Sequence, residues 1–471
     1  MAADPQTTAN FAGVITALTS QDNQTRKQAE ATYKGFVDAN SSLVISLLLE
    51  LMCTSPDPAI QSFCPVLMRQ LVDSPVKVQA LDAVVVDSMQ TRILELVASD
   101  LNPSVRMKAC HVIGSIAASY EGANVQVAQA WPQLLPATLQ LAGTKTDAKV
   151  CETGLLLLAK LGEYSTQMIT AAKSEVLPVL SNAFQLSGGL SMDGKVYLTQ
   201  ATINLLLCLD AEQLAQCESV MEPLLSTLSE LLQSGDELSA QDSMKSLIDL
   251  VCDEGVCKFM PQGMVHLSEA MLTVASTANF ESSTRQLALE ALTSLVDITP
   301  GSVRKRTDFV MRMVKSIILM LAEEGDCDDD FDFDIFTEYV ESERDKESMF
   351  GSATDALNRM CCKLGGRVVL PTVFGTSPGL IADQTNWRNR RAGVVAISSS
   401  CTGAKKMLKP QLGKLFQMVL PLIQNDADQR VRYFATMAVG QMLTDFEGTV
   451  QETLHADVVP VMGTALYENS G

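Results

Sequence analysis

Histidine and aromatic side chains are scarce in this chain: of 471 residues, 3 are His and 5% are aromatic, with only 2 Trp. His111, His266 and His455 stand far apart in sequence, so no pair suggests a general base beside a nucleophile. His111, next to Cys110 on an apolar stripe, reads as a packed side chain. The G-x-x-x-x-G-K-[ST] loop, the G-x-S-x-G elbow and the dinucleotide-binding glycines are all missing. Gly188-Gly189 and Gly365-Gly366 read as glycines that end helices. No enzyme activity and no cofactor are expected. Long apolar runs are also missing. The richest, Leu43 to Met52, is interrupted by Ser46 and Glu50, so no membrane span or membrane partner is expected. The N-terminus, with Asp4 and Pro5 before a polar stretch, lacks the basic start and apolar core of a signal peptide, which implies synthesis in the cytosol. Bases are outnumbered, 35 Lys and Arg against 55 Asp and Glu, for a net charge of -20. That balance argues against direct nucleic-acid binding, which needs concentrated cations, and favours basic ligands. The 12 Cys are scattered, and neither Cys252 with Cys257 nor Cys361-Cys362 has metal-ligand spacing. They read as small core hydrophobes in a reducing compartment, with no metal site.

What the sequence does have is apolar side chains, 47% of residues with a mean hydropathy of +0.15, arranged with a helical period nearly everywhere. Val431, Phe434, Ala435, Ala438, Val439 and Met442 form one stripe. The same template fits Val105, Ala109, Val112, Ile113 and Ile116, interrupted only by Lys108, and again Thr284, Leu287, Ala288, Ala291, Leu292 and Leu295. Arg26, Arg106, Lys149, Arg285, Arg390 and Arg432 share one early position of the template, with Lys195 and Gln241 filling the gap between Lys149 and Arg285. Their spacing gives a period of roughly 40 to 47 residues, the range of two-helix HEAT or armadillo repeats. Polar turns such as Asn425-Asp426-Ala427-Asp428 and Asp100-Leu101-Asn102-Pro103 supply caps for the second helix of a pair. Leu135-Pro136, Leu177-Pro178, Glu222-Pro223, Leu420-Pro421 and Val459-Pro460 fall in first helices, where each proline is expected to bend the helix. The expected fold is all-α, an α-solenoid of about ten HEAT repeats.

The period fails once, between Arg285 and Arg390. The surplus coincides with Glu323 to Glu347, where 13 acids and 2 bases give a net charge of -11. The expected organisation is residues 1–322 as repeats one to seven plus the first helix of repeat eight, 323–347 as an acidic insertion, and 348–471 as later repeats ending within an eleventh. Mutual repulsion should keep the insertion solvated. It reads as a docking strip for a basic partner, a plain spacer, or a calcium site. The calcium reading suffers because Asp328, Asp330, Asp332 and Asp334 alternate without the Gly and terminal Glu of a calcium loop. Phe331, Phe333 and Phe336 interleave with these acids as candidate anchors. Trp387, at the start of a late repeat, reads either as a cap on the groove between repeats, with Arg390 bonded to the neighbouring turn, or as a recognition anchor.

Asn386-Trp387-Arg388-Asn389-Arg390-Arg391-Ala392-Gly393, the run from Gln429 to Ala435 continuing to Phe446, and Asn23 to Glu30 resemble HEAT repeats of the importin-β superfamily, specifically its importin-β3-like karyopherins. The acidic insertion falls in the eighth repeat, where that family carries an acidic loop. The resemblance implies a nuclear import receptor shuttling between cytoplasm and nucleus. Its superhelix would bind RanGTP and the basic localisation signals of cargo on inner helices, and Phe-Gly nucleoporins on outer ones. It assigns Asp326, Asp328, Asp329, Asp330, Asp332 and Asp334 to Ran contact or Ran-driven release, and offers Glu290, Asp297, Asp355 and Trp387 for cargo. Family members are about twice this length or more, so a truncated array is expected. The competing expectation is a HEAT scaffold that assembles enzyme subunits such as a phosphatase, although such a scaffold has little use for the insertion.

Overall fold

The computed structural model describes residues 5–99, 102–323 and 348–468. Every element among these residues is helical, and the chain is an all-α solenoid of helix pairs. It divides into two units, residues 1–239 and 240–471.

In the first unit the pairs run Pro5–Leu18 with the start of Asn23–Thr54, the end of that helix with Pro58–Leu71, Ala83–Ala98 with Pro103–Gly122, Leu134–Ala142 with Ala148–Tyr164, and Lys173–Gln185 with Met192–Leu207. Met221–Gln233 follows. Asn23–Thr54 is long and apolar enough to cross a membrane by length and composition. It is broken at Asn40, whose backbone is extended, and Val44, Ile45, Leu47, Leu48 and Met52 of its second arm are buried in the unit's core. The second unit begins within Glu237–Cys252 and continues with Pro261–Ser276 and Ser282–Ile298, Thr307–Met320 and Met349–Leu364, Gly366–Ile381 and Trp387–Ser399, Leu412–Asn425 and Gln429–Asp445, and His455–Glu468. We call the first helix of each pair A and the second B.

Local chemistry explains why the B helices start where they do. Asp22, Asp57, Asn102, Asp147, Ser191, Ser348, Asn386 and Asp428 each accept a hydrogen bond from a backbone N–H of the first turn. Each such cap contributes about 1 kcal/mol. The predicted stripes are the buried faces: Val431, Phe434, Ala435, Ala438, Val439 and Met442 are all buried, as are Val105, Ala109, Val112, Ile113 and Ile116. Leu287 departs from its stripe and lines a groove instead. The prolines split into two groups. Pro178, Pro421 and Pro460 lie inside A helices, whereas Pro136 and Pro223 occupy the third residue of theirs, where no intrahelical bond is lost.

The repeated cation position stitches one pair to the next. Arg390 clasps Asp426, Lys195 pairs with Glu230 at 2.8 Å, and Gln241 donates to Ser283 and Thr284 at 3.0 Å. Arg285 donates Nε to the Ala275 carbonyl and both terminal nitrogens to the Glu323 carboxylate at 2.6 Å. Glu323, expected at the head of the solvated acidic run, is therefore an anchored residue, because a nearly buried guanidinium needs its counter-charge.

The Cys reading holds for most of the thiols. Burial pushes Cys64, Cys110, Cys257, Cys361 and Cys401 up to about 12, which keeps them protonated and inert. Cys53, Cys252 and Cys362 are exposed, and Cys327 lies outside the described residues.

Candidate functional site

In the second unit the B helices Ser282–Ile298, Met349–Leu364, Trp387–Ser399 and Gln429–Asp445 frame two grooves. One, of about 670 Å³, is lined by Gln241, Leu287, Glu290, Thr293 and Asp355. The other, of about 440 Å³, is lined by Phe350, Asp355, Asn358, Phe434, Met437 and Gln441. Asp355 stands on both. Its neighbours along the helix are Gly351 and Asn358, whose small or polar side chains keep the grooves open.

Three of the four residues expected to bind cargo gather around one guanidinium. Arg359 donates Nε and Nη2 to Asp297 at 2.9 and 2.7 Å and Nη1 to Glu290 at 2.8 Å, and lies 3.5 Å from Asp355. Lys363 adds a second cation 3.7 Å from Asp297. Burial works to remove the Arg359 proton, but the bonds to Glu290 and Asp297 outweigh it and hold the charge more firmly than usual. The carboxylates differ in how far they are committed. Asp297 is 25% exposed and doubly bonded, while Asp355 is 63% exposed with one long contact and remains open to a further cation.

The fourth residue, Trp387, packs elsewhere. The Arg430 guanidinium lies 3.7 Å from its ring centroid, held flat by Asp428, and Arg391 lies 4.9 Å away. Burial raises the Asp428 carboxyl, but the bonds from the Arg430 side chain and backbone outweigh it and leave Asp428 below the usual carboxylate range. Arg391 also covers Phe350 at 4.6 Å, and Phe350 meets Phe434 at 5.3 Å between ring centroids. Arg390 bonds to the neighbouring turn, donating to the Asp383 carbonyl at 2.8 Å as well as to Asp426. Trp387 thus covers the seam between two pairs, half-buried, with Arg430 on its face and Arg391 and Arg388 close by.

The acids Asp326, Asp328, Asp329, Asp330, Asp332 and Asp334 lie outside the described residues. The chain on either side of them is fixed. Arg391 donates to the carbonyls of Leu321 and Glu323 at 3.2 and 2.9 Å, and Ser348 caps the helix that follows. Among the described residues no group of three or more His, Cys, Asp or Glu is placed to hold a metal ion.

Sequence reasoning missed Arg359, Phe350 and Asn358, and placed Phe434 in an apolar stripe but not on the groove. The four-residue spacing of Asp355 and Arg359 was a signal for one ion pair. Glu290 and Asp297 lie 69 and 62 residues from Arg359, so their approach depends on how the pairs stack.

Two family models match adjoining stretches, one described as IPO5-like, TPR repeats over residues 101–267 and one as Importin repeat over residues 277–371. Importin subunit beta-3 of Saccharomyces cerevisiae is 24% identical over 95% of this chain and 40% of its own length. A probable importin-5 homolog of Dictyostelium discoideum is 20% identical over 87% of this chain and 37% of its own. The crystal structure of Kap121p superposes with a TM-score of 0.79 at 25% identity, covering 97% of this chain and 43% of that one. Kap121p bound to RanGTP gives 0.78 at 24% identity, covering 97% and 42%. Kap121p has also been solved bound to Ste12p and to Nup53p. The chain spans about two-fifths of the length of the curated relatives it matches. The helix-pair solenoid, the two family models and these relatives agree, and the chain belongs to the importin-β family of karyopherins.

Proposed function

We propose that this chain is the part of a nuclear transport receptor that engages RanGTP and the basic localisation signals of cargo, for shuttling between cytoplasm and nucleus. The observation that carries the reading is the carboxylate cluster at Glu290, Asp297 and Asp355. Arg359 orients Glu290 and Asp297, so a Lys entering either groove beside the open Asp355 meets acids of which two are already held in place. Phe350, Phe434 and Met437 offer the stem of that Lys an apolar wall. The partners of Kap121p support the same reading, since one of its structures holds RanGTP. The acids from Asp326 to Asp334 supply a field that attracts basic surface on Ran, and the A helices are the surface for Phe-Gly nucleoporins.

The test is capture on immobilised Ran loaded with GTP or GDP, using the wild-type chain and one in which Asp328 to Asp334 are neutralised. Preference for the GTP form, with a weaker salt response in the neutralised chain, supports the reading, because exposed charges are screened over about 10 Å at 0.1 M salt. Equal capture of the two nucleotide states removes Ran binding. In parallel, a Lys-rich peptide should bind the wild type and lose affinity on Asp355→Lys. An unchanged affinity removes the cargo site.

A further inference from the structure

The chain carries a net charge of -20, yet residues 356–425 contain ten bases and a single acid, Asp383. Arg359, Arg390 and Arg391 are committed to the contacts described above. Most of the others gather where one pair turns into the next, and three successive turns touch. Arg304 of the first donates Nε to the Leu364 carbonyl at 2.9 Å and Nη2 to the Lys363 carbonyl at 2.7 Å of the second. A Cβ on Gly366 of the second would lie 2.8 Å from the Ala404 Cβ and 3.2 Å from the Met407 sulfur of the third. Arg304, Lys305, Lys363, Arg367, Lys406 and Lys409 are all exposed and form one edge of this unit. Among the described residues, Lys305, Arg367, Lys406 and Lys409 have no carboxylate within ion-pair distance. Lys405, between them, is tied to the buried Asp445 at 3.1 Å. Like charges so close repel one another, and for Lys305, Arg367, Lys406 and Lys409 no ion pair among the described residues offsets that repulsion.

We infer that this edge is a docking surface for an acidic peptide segment of a partner protein, separate from the B-helix grooves that receive basic cargo. Helix packing distances of about 10 Å place the three turns across roughly 20 Å, the reach of about six extended residues. A depression of about 270 Å³ lined by Gly366, Gly403, Ala404 and Met407 lies among the cations, with Met407 41% exposed. It suits one apolar side chain within an acidic stretch. Nucleic acid fits less well, because among the described residues no aromatic ring lines the depression for a base to stack on and the chain as a whole repels a long polyanion.

The test is fluorescence anisotropy on the full 471-residue chain, with a labelled Glu- and Asp-rich peptide containing one Leu. The variants are Lys406→Glu with Lys409→Glu, and a control of equal charge, Lys27→Glu with Lys34→Glu, at exposed positions of the other unit. The expected result is a loss of about tenfold or more in peptide affinity for the first variant and less than about twofold for the control. Equal losses in both would make the effect one of net charge and overturn the site. A single-stranded DNA probe that binds more tightly than the peptide and is lost in the first variant would overturn the acidic-peptide assignment. So would a gain in peptide affinity when the acids from Asp326 to Asp334 are replaced by Ser, because the chain's own acidic run would then be the occupant.

Discussion

Arg390 holds Asp426 with a two-pronged fork, Nε to Oδ2 at 2.7 Å and Nη2 to Oδ1 at 2.8 Å, where the side chains are 7% and 4% exposed. The Arg opens one B helix and the Asp sits in the turn of the following pair, so this bond joins consecutive repeats. Removing one partner leaves a buried charge without its counter-ion. Asp426→Ala should cost about 3–5 kcal/mol, read as earlier urea unfolding of the second unit. An unchanged midpoint would mean that water replaces the carboxylate freely.

Close approach of helices sets a second expectation. A Cβ on Gly154 would lie 2.0 Å from the Ala142 backbone nitrogen, which no side-chain rearrangement relieves. Gly154→Ala should force Leu134–Ala142 and Ala148–Tyr164 apart at a cost of about 1–3 kcal/mol. Gly188→Ala, with open space around it, should be nearly neutral in the same thermal melt. Equal melting temperatures for the two variants would contradict the packing argument.

His111 contributes to the pH dependence of the first unit near neutrality. Burial, then Lys160 and Arg69, push its imidazole below the ordinary 6.5, only Glu163 opposes them, and the Tyr164 ring lies against its edge. Its Nδ1 is buried without a hydrogen-bond partner. Below pH 6.5 the unfolded chain therefore binds more protons at this site than the folded one. The stability from a neutral His111 is fully present above 6.5 and is lost as pH falls towards the depressed folded value. His111→Gln should flatten that part of the stability profile between about pH 7 and 5. An identical slope in both proteins would remove His111 as the cause.

Asp297 and Asp355 should separate stability from binding. Asp297→Asn keeps an acceptor oxygen but removes the charge that faces Arg359 and Lys363, and should cost about 1–3 kcal/mol. Asp355→Asn, at an exposed position with one contact of 3.5 Å, should leave the melting temperature nearly unchanged and weaken a Lys-rich peptide about tenfold. If Asp355→Asn destabilises as much as Asp297→Asn, the cluster is purely structural.

The caps and stripes were legible because both are local. Asp428 reaches the N–H of Arg430 two residues away, and Val431 to Met442 lie on one face by helical period alone. The bond from Arg390 to the neighbouring turn was one of the two readings of the Trp387 segment, and the structure bears it out. Glu323 shows where local reasoning stops. Composition placed it in a repelling acidic run, but Arg285 arrives from a helix 38 residues earlier and neutralises it. The resemblance offered the three acidic cargo candidates only as residues of inner helices. Nothing in the sequence showed that Arg359 would draw them together.

The sequence by itself determined the helical period, the caps of most B helices and the repeat of about 40 to 47 residues, since these need only neighbours within a turn or two. Tertiary stacking decided the rest. It set Glu290 and Asp297 against Arg359, slid Arg430 over Trp387, and brought the turns at Arg304, Lys363 and Lys406 onto one edge. A side chain's partner in the next repeat depends on the register between packed helices. That register is fixed by many apolar contacts at once, such as the close fit around Gly154 and Gly403, and no single segment encodes it.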